Sequence, residues 1–198
     1  MNLLEGIRYE KIYGIIREDN PEKAYETAMA YYEGGIRFIE FNAPIEALKK
    51  FAALDKGVPI QGGIITASQA YEALEAGAKI ISSPIFQVNL VRLATCLKIN
   101  LIPSITTPNE AYSVWKARIP LMKVYPVNEM GGVEYIREMI KPMPFLNVLP
   151  CGFVKIDEIK AYLEAGAYAV GVGRDLYNKN SYEEIVQTVK NVIKSVNL

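Results

Sequence analysis

Histidine is missing from all 198 residues of this chain. Its absence removes Ser-His-Asp triads, Cys-His dyads and imidazole-held zinc, so zinc-assisted carbonyl chemistry is not expected. Any acid or base must then be a carboxylate, a lysine, a tyrosine or water. Cysteine is scarce as well. Cys96 and Cys151 are the two in the chain and do not form a CxxC pair, which suggests buried thiols in a reducing compartment rather than a disulfide framework. Net charge is zero, so no electrostatic footprint for nucleic acid or an acidic membrane exists. No apolar run reaches membrane-spanning length, and residues 1–11 lack the apolar stretch of a secretory leader. A cytoplasmic protein without nucleic-acid or membrane partners is the expectation.

What the chain does have is ordinary globular material, 51% hydrophobic and 22% charged. Its length suits one filled core, and a single domain over residues 1–198 is expected. Short apolar runs recur at residues 12–16, 36–41, 58–61, 79–82, 101–105, 121–124, 147–149 and 167–170, with helix-like stretches between them. Residues 21–33 read as a helix with Asn20 as N-cap and Pro21 at its first position, stopped by Gly34-Gly35. Glu33-Gly34-Gly35-Ile36, Glu75-Ala76-Gly77-Ala78 and Glu164-Ala165-Gly166-Ala167 repeat one phrase of helix end, glycine and strand start. Residues 181–198 carry Ile185, Val186, Val189, Val192 and Ile193 at helical spacing, as a last outer helix would. Eight βα units without a long linker predict an α/β fold, a compact (β/α)₈ TIM barrel. No Gly-x-Gly-x-x-Gly follows the first run, which weighs against a dinucleotide-binding sheet.

Two charged residues stand where charge is costly. Lys123 lies in the apolar run Leu121-Met122-Lys123-Val124-Tyr125-Pro126, and Glu40 in Ile36-Arg37-Phe38-Ile39-Glu40-Phe41. Desolvating an ammonium costs several kcal/mol unless it is paired or gives up its proton. A lysine so disfavoured in its charged form offers a free amine, a nucleophile toward ketones. In a barrel, functional groups collect at the C-terminal strand ends. Those ends read Arg17, Glu40, Gly62-Gly63, Ser82-Ser83-Pro84, Pro103, Lys123, Cys151-Gly152 and Gly171-Val172-Gly173, with Tyr125 and Arg174 close by. The glycines after the last two runs, Gly152, Gly171 and Gly173, fit an anion-binding turn with Arg174 as a charge partner. Lys123 as imine-forming amine, Glu40 as proton carrier and Arg17 as anion holder form a minimal kit for enolate chemistry.

From about residue 12 to residue 176 the chain resembles the 2-keto-3-deoxy-6-phosphogluconate aldolase / 4-hydroxy-2-oxoglutarate aldolase family. The family's glutamate-ended second strand matches Phe38-Ile39-Glu40, and its Lys-x-x-Pro motif with a following Gly-Gly matches Lys123-Val124-Tyr125-Pro126 and Gly131-Gly132. Its first-strand arginine falls on Arg17, and Ser83-Pro84, Ile102-Pro103 and Thr107-Pro108-x-Glu110 match in order. The resemblance implies a class I aldolase of carbohydrate metabolism, a lyase that cleaves a 2-oxo acid through a Schiff base on Lys123 with Glu40 as general base. It also implies substrate-binding roles for Arg17, Gly62, Gly63, Pro84, Pro103, Tyr125, Cys151, Gly152, Gly171, Gly173 and Arg174. No metal or organic cofactor is expected, and the partners implied are a small 2-oxo acid, phosphorylated or not, and two further copies in a homotrimer.

Departures from the family pattern cluster around the expected substrate. A shorter Asn42-Ala43-Pro44 follows the glutamate, and Ile64 replaces a hydroxyl that helps hold the pyruvyl carboxylate. Pro150-Cys151-Gly152-Phe153 replaces Pro-Thr-Gly-Gly, so Phe153 would crowd a phosphate loop, and Arg174 stands where serine is common. Two rival readings follow from them, a sugar-phosphate isomerase or epimerase on the same barrel, and a ligand-binding barrel without turnover.

Overall fold

The computed structural model describes residues 3–196. Eight strands lie in the order β7-β6-β5-β4-β3-β2-β1-β8, and every paired neighbour is parallel. They are β1 (Ile12–Arg17), β2 (Phe38–Asn42), β3 (Val58–Gln61), β4 (Ile80–Ser83), β5 (Asn100–Ile105), β6 (Met122–Val124), β7 (Val148–Pro150) and β8 (Val170–Val172). The helices are α1 (Leu3–Glu10), α2 (Pro21–Gly34), α3 (Ile45–Ala52), α4 (Ala67–Glu75), α5 (Val88–Leu97), α6 (Pro108–Lys116), α7 (Gly132–Ile140), α8 (Ile159–Glu164), α9 (Arg174–Tyr177) and α10 (Tyr182–Val196). At the seam between β7 and β8 the Tyr168 N–H donates to Val148 O at 2.8 Å, leaving a nearly closed (β/α)₈ barrel. The expected fold class is the one found. Among the described residues no helix is long and apolar enough to cross a membrane.

Strand alternation explains the apolar runs. Ile39, Phe41, Ile81, Leu101, Met122 and Val148 point outward into the helix layer. Phe38, Ile60, Ile80, Ile102, Leu121 and Leu149 point inward and fill the lower barrel. Both faces of each strand are therefore dry, so an apolar stripe of period two is replaced by near-continuous hydrophobic sequence. One layer above that inner cluster the inward residues turn polar, with Glu40, Ser82, Ser104 and Lys123 all buried. The inward polar side chains Glu40, Ser82, Ser104 and Lys123 thus lie toward the C-terminal end of the barrel.

Helix ends follow their local signals. Asn20 caps α2 by accepting from the Lys23 N–H at 3.0 Å, and Gly35 closes it at φ 114°, a backbone state that glycine adopts without Cβ strain. Thr66 with Gln69 and Thr107 with Glu110 form reciprocal capping boxes on α4 and α6.

Most strand boundaries differ from the sequence reading by one or two residues, but the last differs in kind. The run 167–170 was expected as strand, whereas β8 is Val170–Val172 with Gly171 at its centre. Gly171 is an inward-facing strand residue. A Cβ there would lie 2.8 Å from Cys151 Cβ and 3.0 Å from Ile15 Cδ1, so the barrel interior needs a bare backbone at this point. The expected final helix is α10, Tyr182–Val196, and residues 197 and 198 of that reading lie outside the described residues. Helix α1 was not anticipated. It puts Leu4 and Ile7 against the inner cluster and plugs the bottom of the barrel. Ile7→Ala should cost about 3 kcal/mol, the usual scale for a buried large-to-small change. Urea denaturation measures it, and a loss under about 1 kcal/mol would show that the plug is not part of the core.

Candidate active site

The site grows out of two inward positions on strands facing each other across the barrel. Register places Glu40 between Ile15 of β1 and Ile60 of β3, and Lys123 between Ser104 of β5 and Leu149 of β7. Both are nearly inaccessible, at 3% and 4% relative exposure, and each is paired with the other. Lys123 Nζ donates to Glu40 Oε2 in a short ion pair. The Tyr13 hydroxyl donates to the same oxygen at 2.5 Å, and Asn42 Nδ2 donates to Glu40 Oε1 at 2.8 Å. Lys123 Nζ also sits 5.2 Å from the centre of the Tyr13 ring.

Electrostatics follow from this packing. Burial pushes the Glu40 carboxyl upward, but Lys123, Tyr13 and Asn42 together outweigh it and hold it below the ordinary value of 4.5. Its stabilising contribution is therefore present above about pH 4.5 and is lost as the pH falls through its lowered value. Burial, reinforced by the neighbouring Glu40, raises the Tyr13 phenol well above the ordinary value of 10.0, so it stays a donor. Burial also lifts the Cys151 thiol to about 12, against the pull of Lys123. It is a neutral part of the wall.

A cavity of about 290 Å³ opens above the pair. Arg17, Lys155 and Arg174 line it together with Lys123, against the two carboxylates of Glu40 and Asp175. Asp175 Oδ2 already accepts from the Ile156 N–H at 2.8 Å, and Arg17, Lys155 and Arg174 form no ion pair among the described residues. The lining has cationic capacity to spare, which suits an anionic guest.

Most of the residues singled out in the sequence meet here. Gly63, Pro84, Tyr125, Cys151, Gly152, Gly171 and Gly173 line the cavity with the charged groups. Gly62 does not, but a Cβ on it would come within 2.4 Å of Asn42 Oδ1 and 2.7 Å of Glu40 Oε1. It makes room for the hydrogen bond that anchors Glu40. Pro103 is absent from the lining; alternation along β5 turns Ser104 inward instead. Ile64 is packed into the outer cluster away from the cavity. Phe153 does line the mouth, 62% exposed, with φ 57° in the left-handed region that costs a non-glycine residue about 1–2 kcal/mol.

The sequence reading missed Tyr13, Ser104, Lys155, Asp175 and Tyr177. Tyr177 accepts from the Arg17 N–H at 3.4 Å and donates to Arg17 O at 2.9 Å, fixing the end of β1. Tyr13 was hidden because an aromatic in a core strand looks like packing. Only the inward phase that it shares with Glu40 could have separated it from the other buried tyrosines.

An alternating barrel whose buried charges are one lysine–carboxylate pair beneath a cationic cavity is the frame of a (β/α)₈-barrel enzyme. The chain belongs to the KDPG and KHG aldolase family, whose model matches residues 4–192. A 2-dehydro-3-deoxy-phosphogluconate aldolase of Haemophilus influenzae is 25% identical over 201 residues, covering 96% of this chain and 95% of that protein. The crystal structure of the Zymomonas mobilis 2-keto-3-deoxy-6-phosphogluconate aldolase with 3-phosphoglycerate superposes with a TM-score of 0.87 at 20% identity, covering 96% and 94% of the two chains. The Legionella pneumophila KDPG aldolase, with pyruvate captured as a covalent carbinolamine, superposes at 0.81 with 22% identity over 91% and 92%. At these identities the structures establish the shared fold.

Two outcomes follow from the packing. Lys123→Met should destabilise the protein by about 3 kcal/mol at pH 7, because it strands a buried carboxylate. Adding Glu40→Gln should restore more than half of that loss, as read by urea denaturation of the double-mutant cycle. Purely additive losses would show that the two groups are not coupled. Iodoacetamide at pH 8 should label exposed Cys96 in the native protein and reach Cys151 only on unfolding. Native labelling of both thiols at similar rates would contradict the buried, protonated assignment of Cys151.

Proposed function

We propose that this protein is a class I aldolase, a lyase that cleaves a 2-oxo acid such as 2-keto-3-deoxy-6-phosphogluconate or 4-hydroxy-2-oxoglutarate through an imine on Lys123. The observation that carries this reading is the direct Lys123–Glu40 contact at the floor of the cationic cavity. An amine used as a nucleophile must lose a proton to a base within hydrogen-bond reach, and Glu40 Oε2 already touches Nζ.

The steps balance on these two residues. Glu40 takes a proton from Nζ, and the free amine attacks the C2 ketone to give a carbinolamine. Glu40 returns the proton to the carbinolamine oxygen, water leaves, and a protonated imine remains. Glu40 then accepts the C4 hydroxyl proton as the C3–C4 bond breaks. The bond's electrons flow into the imine, the aldehyde departs, and an enamine of pyruvate is left. Protonation at C3 and hydrolysis release pyruvate and free Lys123. The protonated imine is the electron sink, so the sequence of steps closes without a metal or organic cofactor.

Arg17, with Lys155 and Arg174, supplies charge for the substrate carboxylate and for a second anionic group at the far end. Because Ile64 faces the outer cluster, a hydroxyl at that position is not part of this cavity, and the carboxylate is held by the cations instead. The carbinolamine trapped in the Legionella pneumophila relative is the chemistry assigned here to Lys123. The reading includes a homotrimer, whose mass by sedimentation would be three times that of the 22.1 kDa chain.

Borohydride reduction with and without pyruvate, followed by mass spectrometry, tests the reading. A pyruvate-dependent adduct on the Lys123 peptide is expected. Folded protein that yields no adduct would rule out pyruvate imine chemistry.

A further inference from the structure

Glu40 receives three hydrogen bonds, and two of them, from Tyr13 and Asn42, have no part in the steps above. The Tyr13 hydroxyl donates to Oε2, the oxygen that also meets Lys123 Nζ. Tyr13 belongs to β1 and to the inner apolar cluster that α1 plugs, so its ring is clamped from below. From there its phenol reaches up one layer to the carboxylate, and its ring face lies 5.2 Å from the ammonium. A buried tyrosine normally needs a partner for its hydroxyl, and here that partner is the proposed base.

The arrangement changes during the reaction assigned above. While Lys123 is an ammonium, Oε2 has two donors, and Oε1 has Asn42. Once Nζ is committed to an imine carbon, it keeps at most one proton, and its bond to Oε2 can no longer be counted on. Tyr13 is then the one donor left on Oε2, and without it that oxygen would rotate away or take up a proton. Tyr13 stays protonated throughout, since burial and the adjacent carboxylate both oppose its ionisation.

We infer that Tyr13 is a positioning residue, which holds Glu40 Oε2 ionised and aimed at the reacting carbons while Lys123 is bound up as the imine. The inference of an effect on turnover rests on the aldolase reading; the effect on Glu40 itself does not. The other titratable groups facing Glu40 are Lys123 on β6 and Cys151 just after β7, and the remaining contact is the neutral amide of Asn42 on β2.

The test separates the two. Full-length, ligand-free protein labelled with carbon-13 at the glutamate carboxyl is titrated by NMR, and Glu40 is identified by the signal lost in Glu40→Gln. In Tyr13→Phe, the ring is kept and the donor removed, and the acid dissociation constant of Glu40 should fall roughly tenfold, as expected for losing a hydrogen bond to a charged group. Tyr31→Phe is the control. Tyr31 is equally buried, but its hydroxyl donates to the Gly173 and Ile15 carbonyls, so the Glu40 titration should not move. A Glu40 midpoint unchanged in Tyr13→Phe, or moved equally by Tyr31→Phe, would overturn the inference whether or not the protein is an aldolase. Where pyruvate trapping on Lys123 is observed, its rate in Tyr13→Phe should show an acid limb raised by the same factor. A uniformly lower rate with an unmoved limb would reduce Tyr13 to packing.

Discussion

One ion pair organises this molecule. Lys123 and Glu40 are the buried charges inside a barrel filled from below by hydrophobic side chains, where an isolated charge would cost several kcal/mol. Each residue is tolerable only with the other present and the remaining carboxylate lone pairs occupied. Gly62 is bare so that Asn42 can reach Glu40, and Tyr13 extends from the apolar floor to the same carboxylate. Even the plug formed by α1 serves this arrangement, since it seals the end of the barrel from which Tyr13 is supported.

The fold was legible because parallel barrel strands are buried on both faces. That burial writes eight apolar runs into the sequence, and the glycine-capped helix ends punctuate them. The pair itself was legible for the opposite reason, since a lysine and a glutamate inside such runs contradict their surroundings. Tyr13 and Ser104 were not legible, because a tyrosine or serine in a core strand fits both packing and chemistry until its inward or outward phase is known. Gly171 was misread as a turn glycine for a related reason: glycine marks both a bend and a crowded interior, and the contact with Cys151 decides which. Helix α1 escaped notice because its amphipathic pattern covers only two turns.

The departures from the family pattern sort themselves once placed. Ile64 belongs to the outer core and leaves the cavity untouched, whereas Phe153 stands at the mouth in a strained backbone state. Cys151 offers a neutral wall beside the pair. Arg174 and Lys155 add positive charge to the cavity lining. The floor thus retains the lysine–carboxylate geometry, while the rim differs in shape and charge. On the proposed aldolase reading, substrate choice falls to the rim and bond-making to the floor.

The claim on which this account depends is that Lys123 and Glu40 together generate an enamine from a 2-oxo acid. Proton NMR of pyruvate in deuterium oxide, with catalytic amounts of protein, measures that directly, because an enamine takes its methyl proton back from solvent. The account predicts steady loss of the methyl signal with the unaltered protein, and none above buffer with Lys123→Ala or Glu40→Gln. Exchange that persists in Lys123→Ala, or a folded protein with no exchange at all, would contradict it.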